Sequence, residues 1–562
     1  MQLKMNGAEI LLECLAKEKV ETIFGYPGGA LLPLFDKINQ QKKIRHILVR
    51  HEQAAALAAD GFSRASGKVG VCLATSGPGA TNLVTGIANA FLDSVPVVAI
   101  TGQVATHLIG TDAFQEVDIT GICQPICKQT FQVLDAKEIP EIVAQAFHIA
   151  ASGRPGPVLI DLPKDVQEQS VDKFKFAKKI DLPGFKPNLL GNEHQIKKAK
   201  KLIENSQRPV VLAGHGVVLS GAESEFRQFV EKVEIPTLTT LLAIGLLEKN
   251  HALNFGMLGM HGQLAANFAV HHADLVIGIG LRFDDRILGD PKDFAPEAKV
   301  IHVDIDRAEI GKNRACDVPI VGDAKLVLQE ILKGLASKKH QEWLAQVHSW
   351  KEQKDQVKES RVKGKNEKIS ARDAVQLISK LTGGQAIVAA DVGQNQMWVA
   401  NFYDFANPRK HLSSGGLGDM GYSIPAAMGA KVAEKEQVVL AICGDGGFQM
   451  NGQELATLMQ DNIGVKIVIL NNGFLGMVRQ WQELFYRKNY SFTNLLNPDF
   501  CKFAESFGVP AWRCETLQDL QKNFQQALDT DGPALVEVIV QNEENVFPMV
   551  SPGQSLKKTR LG

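Results

Sequence analysis

Short apolar runs recur along the chain between stretches of helical periodicity. The runs at 21–25, 44–49, 68–74 and 95–101, with one inside 154–166, read as strands. A second set falls at 209–213, 236–240, 274–280 and 300–304, and a third at 386–391, 438–443, 465–470 and 534–540. Helical segments lie between them, such as 6–18 behind an Asn6 cap and the alanine-rich body at 54–59. Near-continuous apolar strands alternating with helices predict α/β architecture, here three doubly wound parallel-sheet domains. Two polar stretches divide the pattern. One spans 168–194, rich in Pro, Lys and Gly; the other spans 336–369, rich in Lys and Gln, with a helix near 341–354 and its charges on a solvated face. The predicted domains are therefore 1–167, 195–335 and 370–545, followed by an irregular arm at 546–562.

The most informative unit is 438–472. A buried strand ends in Gly444-Asp445-Gly446-Gly447, which breaks it; a helical stretch follows at 453–460, then a second strand runs into Asn471-Asn472-Gly473. This is a βαβ unit with a right-handed crossover, so Asp445 and Asn472 emerge together at the carboxyl edge of one sheet. A carboxylate and an amide oxygen are hard donors that suit Mg²⁺. The glycines let backbone approach a phosphate group. A Rossmann reading fails, because the sixth position of the frame that starts at Gly444 is Gln449, and no GxxxxGK[ST] occurs.

Length and charge narrow the remaining classes. A chain of 562 residues exceeds one hydrophobic core and fits three or four domains of ~150 residues each. Net charge is −1 and no apolar run reaches ~18 residues, so neither nucleic acid nor membrane is an expected partner. The 8 cysteines are scattered, and the Cys123/Cys127 pair has no second pair to complete a zinc site. With no leader pattern at the start, a cytoplasmic enzyme is expected.

Taken together, the motifs resemble the thiamine-diphosphate 2-keto-acid enzymes, and most closely the acetohydroxyacid synthase (acetolactate synthase) family. The resemblance rests on GYPGGA at 25, RHEQAAALAADGFSRASGKVGV at 50, TSGPGATNLVTGIA at 75 and GTDAFQE at 110. LGMHG at 258, RFDDR at 282, GLGDMGYSIPAA at 416 and NNGFLGMVRQWQ at 471 extend it over nearly the whole chain. It implies a pyrimidine-binding, a central FAD-type and a diphosphate-binding domain, and three cofactors: thiamine diphosphate, Mg²⁺ and FAD.

By that resemblance Asp445, Asn472 and the main chain of Phe474 hold the Mg²⁺, and Gly444, Gly446, Gly447, Gly393, Gln394, Asn395 and Gly418 lie on the cofactor; where the family carries His, this chain has Asn395. Glu52 is implied to hydrogen-bond N1′ of the aminopyrimidine, and Met420 to be the apolar wedge that bends the cofactor. Phe114, Gln115, Lys164, Met477, Arg286 and Trp481 are implied to line the reaction centre, Arg286 on the second keto acid's carboxylate and Trp481 selecting 2-ketobutyrate. The FAD positions fall on Arg154, Gly214, Gly216, Thr240, Leu241, Met260, His261, Gly280, Arg282, Asp304 and Asp323. The expected activity is carboligation of pyruvate with a second 2-keto acid, the first common step of branched-chain amino-acid biosynthesis. An FAD-dependent pyruvate oxidase on the same fold is the alternative, and RFDDR and QWQ argue against it. A homodimer or homotetramer is implied, with room for a separate regulatory small subunit.

Overall fold

The computed structural model describes residues 4–177, 180–359 and 368–562, so parts of both predicted linkers lie outside the described residues. Three six-stranded sheets, each wholly parallel, carry the chain. The first runs Arg45–Leu48, Thr22–Gly25, Gly70–Ala74, Val97–Gln103, Val158–Pro163, Gln129–Gln132. The second runs Asn254–Met257, Thr237–Thr239, Pro209–Ala213, Leu275–Ile279, Lys299–Asp304, Val318–Val321. The third runs His411–Ser413, Ile387–Ala390, Val439–Gly444, Val465–Asn471, Ala534–Ile539, Ala511–Cys514. In each sheet the order of the strands reverses between two neighbouring central strands. The crevices outside Thr22–Gly25/Gly70–Ala74, Pro209–Ala213/Leu275–Ile279 and Ile387–Ala390/Val439–Gly444 are therefore the switch points where such sheets bind ligands.

Five strands of these three sheets do not show in the sequence pattern, and all five lie at sheet edges: Gln129–Gln132, Asn254–Met257, Val318–Val321, His411–Ser413 and Ala511–Cys514. Central strands such as Val97–Gln103 are buried at every position, which gives a continuous apolar run. Edge strands such as Gln129–Gln132 keep much of their surface, and their sequence reads as loop.

The alanine-rich helix Glu52–Ser66 finds the close partner that its small side chains permit. It packs on Ser423–Ala433 of the third domain at backbone distance. A Cβ on Gly61 would sit 2.1 Å from the Ala426 carbonyl oxygen, and one on Gly429 would sit 1.9 Å from that of Ala58. Beside this contact lies a buried polar cluster. Arg64 pairs with Asp60 and Asp93 at 2.7 Å each, the Tyr422 hydroxyl donates to Asp60, and Asp93 accepts from the backbone of Gly415 and Gly416. Removing one member of such a network would strand a buried charge, so it fixes how domain one meets domain three.

Two polar segments pack more than their sequence announces. The helix Gln341–Glu359 keeps a solvated face, with Gln341 and Glu342 exposed, and docks by the other: Trp343 and Val347 are buried, and the Trp343 indole N–H donates to the Pro209 carbonyl at 3.0 Å. The arm at 546–562 is irregular, as expected, but held by packing. Val546, Met549, Val550 and Leu556 are buried, Met549 pairs with Arg560 as an antiparallel bridge, and the Val550 N–H donates to Met260. The eight cysteines are all free. Among the described residues no helix is long and apolar enough to cross a membrane.

Candidate active site

The carboxyl edge of the third sheet builds the first part of the site. Val439–Gly444 and Val465–Asn471 are paired neighbours, Gly444 opposite Leu470, so Asp445 and Asn472 leave the sheet side by side. The strand ends at Gly444 as expected, and a helix not read from the sequence, Asp445–Asn451, begins at once with Asp445 in its first turn. The helix N-terminus thus faces the same point as the metal-type donors, which favours a phosphate there.

Asp445 is 1% exposed and has no cationic partner among the described residues. Its Oδ2 accepts from the Gly473 N–H at 3.1 Å and from the Asn497 amide at 2.6 Å. Burial pushes its carboxyl up to about 6. A buried acid without a counter-cation, beside the Asn472 amide oxygen, is a fitting hard-donor set for Mg²⁺. Phe474 lines the same small cavity as Asp445, Asn472, Gly393, Gln394, Asn395, Gly444, Gly446 and Gly447. The glycines have separate reasons. A Cβ at Gly446 would lie 2.8 Å from Leu475, and at Gly447 2.5 Å from Asp391 Oδ1. Gly447 therefore makes room for Asp391, whose carboxylate also accepts from the Gly421 and Ser423 backbone and anchors the turn that bears Met420.

Asn497 went unnoticed in the sequence, since an isolated Asn in a Pro-bearing loop carries no spacing signal. It donates to both Asp445 and Asn471, the latter at 3.1 Å. Outer partners of metal ligands orient the ligand, and their loss typically costs ~10–100-fold in metal affinity. Asn497→Ala is expected to weaken Mg²⁺ binding in that range. Calorimetric Mg²⁺ titration in the presence of thiamine diphosphate checks this, and an unchanged affinity removes Asn497 from the site.

A cavity of about 930 Å³ opens beside this pocket, and Gly393, Met420 and Met477 line both. All three domains reach it. Domain one supplies Arg154, the central domain supplies Gly216, Thr240, Leu241, Met260, His261, Gly280, Arg282, Arg286, Asp304 and Asp323, and domain three supplies Gly418 and Trp481. Gly214 stands behind this wall. A Cβ there would lie 2.1 Å from the Gly280 carbonyl oxygen, so two crossover turns meet backbone to backbone at the switch point. Around the cavity, burial with nearby acids pushes the Asp304 carboxyl up to about 7. Arg154 pairs with Asp306 and Glu309. Asp323 caps the helix Ala324–Leu332. His261 keeps a buried Nδ1 without a partner. A large cavity with backbone-lined floor, one free buried imidazole nitrogen and flanking charges fits an extended cofactor with a polar tail, as FAD is.

At the cavity's outer wall Trp481 stands edge-on to Phe485, ring centroids 5.6 Å apart. Arg286 is largely exposed and approaches the Met260 sulfur at 3.3 Å.

Glu52, Phe114, Gln115 and Lys164 do not line either cavity. Glu52 heads its helix and accepts from the Asn82 amide at 2.9 Å, and a Cβ at Gly79 would lie 3.1 Å from its Oε1. Gln115 lies against Gly77 on the same turn, and Phe114 is 87% exposed. Glu116 holds this loop by accepting from the N–H groups of Gly110 and Ala113. Lys164 begins the short helix Lys164–Glu168 after the strand Val158–Pro163.

Three family models match in this order: the thiamine pyrophosphate enzyme N-terminal TPP binding domain over 5–122, the central domain over 196–331 and the C-terminal TPP binding domain over 391–538. The chain is 50% identical over 560 residues to the probable acetolactate synthase large subunit of Methanocaldococcus jannaschii, covering 98% of this chain and 94% of the relative. It is 48% identical over 562 residues to the acetolactate synthase large subunit of Corynebacterium glutamicum, covering 98% and 89%. It is 47% identical over 566 residues to the acetolactate synthase of Arthrospira platensis, covering 98% and 96%. With matched domains in the order of its three sheets and relatives this similar along its length, the chain belongs to the thiamine pyrophosphate enzyme family and, within it, to the acetolactate synthase large subunits.

Proposed function

We propose that this protein decarboxylates pyruvate and joins the two-carbon fragment to a second 2-keto acid, giving 2-acetolactate from pyruvate or 2-aceto-2-hydroxybutyrate from 2-ketobutyrate. The observation that carries this is the pair of cavities sharing Gly393, Met420 and Met477, which joins a diphosphate-and-metal pocket to a chamber walled by Arg286 and Trp481. Thiamine diphosphate, when bound, supplies the stabilised negative charge that such bond breaking and making require. Asp445, Asn472 and the main chain of Phe474 hold Mg²⁺ against its diphosphate. Gly393, Gln394 and Asn395 line the same pocket. Met420, which lines both cavities, would be the apolar wedge beneath the cofactor. Glu52 holds a proton at N1′ of its pyrimidine. Because Glu52 lines neither cavity in one chain, the reading calls for a homodimer, in which each chain's Glu52 half-site faces the partner's metal half-site; two dimers can pair as a tetramer.

The central cavity would hold FAD, whose role would be structural since the net reaction transfers no electrons. The name "large subunit" carried by the relatives supports a separate regulatory small subunit. The test is add-back. Protein stripped of cofactors and incubated anaerobically with pyruvate should form acetolactate when thiamine diphosphate, Mg²⁺ and FAD are restored, with no electron acceptor. An absolute need for an acceptor would replace this reading with an oxidase.

Specificity for the second keto acid follows from Trp481. The two acceptors differ by one methylene, worth ~1–3 kcal/mol in an apolar pocket, or about 10–200-fold. Trp481→Leu is expected to lower the acetohydroxybutyrate-to-acetolactate ratio within that range while acetolactate formation from pyruvate alone persists. Competition with both keto acids measures it, and an unchanged ratio removes Trp481 from the pocket.

A further inference from the structure

The turn that presents Met420 is flanked by Gly418 and Gly421, both at positive φ, 76° and 90°. Met420 points to the cavities, whereas its neighbour Asp419 is buried at 8% exposure. Asp419 Oδ1 has one weak donor, the Gln53 side-chain amide at 3.5 Å, and Oδ2 is buried without any partner. Its backbone N–H is held by Ser414 Oγ at 2.9 Å. The contrast with its acidic neighbours is sharp. Asp391 is satisfied by hydrogen bonds, accepting from Val392, Gly421 and Ser423 N–H groups and from the Ser423 hydroxyl. Asp60 is matched by Arg64, Asn89 and Tyr422, and Arg64 is further bound to Asp93. No cation is left to Asp419 on these elements, and the residue it touches, Gln53, follows Glu52 on the first turn of its helix.

We infer that Asp419 is a positioning residue that works as a neutral carboxylic acid, seating the Met420 turn against the helix led by Glu52 and releasing it on ionisation. A neutral acid tolerates one weak donor and one partnerless oxygen; a carboxylate in the same place lacks compensation and faces Asp391 and Asp60. Burial and those two acids hold its carboxyl up at about 7. The direction follows from linkage. Ionisation is easier in the unfolded chain, near ~3.9, so Asp419 lowers folding stability progressively as pH rises from there through about 7, and no further above it. Once ionised, it also withdraws support from Met420, so cofactor affinity falls about tenfold per pH unit above that point. This inference rests on the wedge role given to Met420 above.

The test compares the full-length protein with Asp419→Asn, which keeps the shape of the neutral acid and cannot ionise. Thiamine diphosphate affinity is read from intrinsic fluorescence in the presence of Mg²⁺, independently of turnover. The variant-to-wild-type affinity ratio should be near one at pH 6 and rise to about tenfold by pH 8. The gap between their thermal midpoints should widen from pH 5 to pH 7 and then level. A ratio that is the same at pH 6 and pH 8 overturns the inference, since a merely structural residue gives a pH-independent effect. Gln53→Leu keeps the question decidable if Asp419→Asn does not fold: losing the donor should move the affinity loss to higher pH, and no movement counts against Asp419. A wild type that binds thiamine diphosphate but makes no acetolactate contradicts the proposed function and leaves this comparison intact.

Discussion

Glu52→Gln is expected to cut proton exchange at C2 of bound thiamine diphosphate by ~10²–10⁴-fold, the usual contribution of a positioned acid–base group. Cofactor affinity should stay close to wild type, because the amide fills the same volume beside Asn82 and Gly79 and can accept from the same amide. The amide cannot share a proton with N1′, which isolates the chemical contribution from the geometric one. Hydrogen–deuterium exchange followed by NMR on the holoenzyme measures it. Exchange at the wild-type rate would remove Glu52 from the proton path. The same variant reports on assembly. Mixed with an Asp445→Ala chain, it should regain part of its activity, since a heterodimer pairs one intact Glu52 half-site with one intact metal half-site.

Asp445→Ala is the second large effect. The substitution deletes the one carboxylate of the proposed Mg²⁺ set and leaves Asn497 and the Gly473 N–H only Asn471 Oδ1 as acceptor. Loss of a direct ligand should exceed the ~10–100-fold attached to outer partners, so Mg²⁺ affinity and activity should both fall by more than about 100-fold. Excess Mg²⁺ and thiamine diphosphate should recover part of the activity by mass action. Calorimetric titration of both ligands checks it, and wild-type affinity for both would discard the metal reading of the βαβ unit.

How much of this was legible in the sequence depends on what each element exposes. Strands such as Val439–Gly444 and Val465–Asn471 are buried on both faces, and their apolar runs announce them. The edge strand Ala511–Cys514 shows mixed exposure, and His411–Ser413 is three residues long, so neither leaves a pattern long enough to read. Arg45–Leu48, also at an edge, was readable because Ile44, Ile47, Leu48 and Val49 cluster there.

The site divides in the same way. Asp445 and Asn472 were legible because each directly follows a strand, and strand ends fix position without knowledge of tertiary packing. Asn497, Asp391 and Asp419 act through contacts across 52, 30 and 366 residues of separation, which no local spacing encodes. The separation of Glu52, Phe114, Gln115 and Lys164 from the cavity is likewise a property of the folded chain, invisible until the sheets are placed. The docked arm at 546–562 shows the converse. Its few apolar residues, among them Val550 and Leu556, have no period, yet they are buried because the central domain leaves an apolar groove for them.

The most direct test of the central claim is product identification by mass spectrometry. The holoenzyme, with thiamine diphosphate, Mg²⁺ and FAD, is given pyruvate alone and then pyruvate with 2-ketobutyrate, without an electron acceptor. The account predicts acetolactate and CO₂ in the first reaction and the appearance of acetohydroxybutyrate in the second. Acetaldehyde or acetate in place of either condensed acid would contradict it.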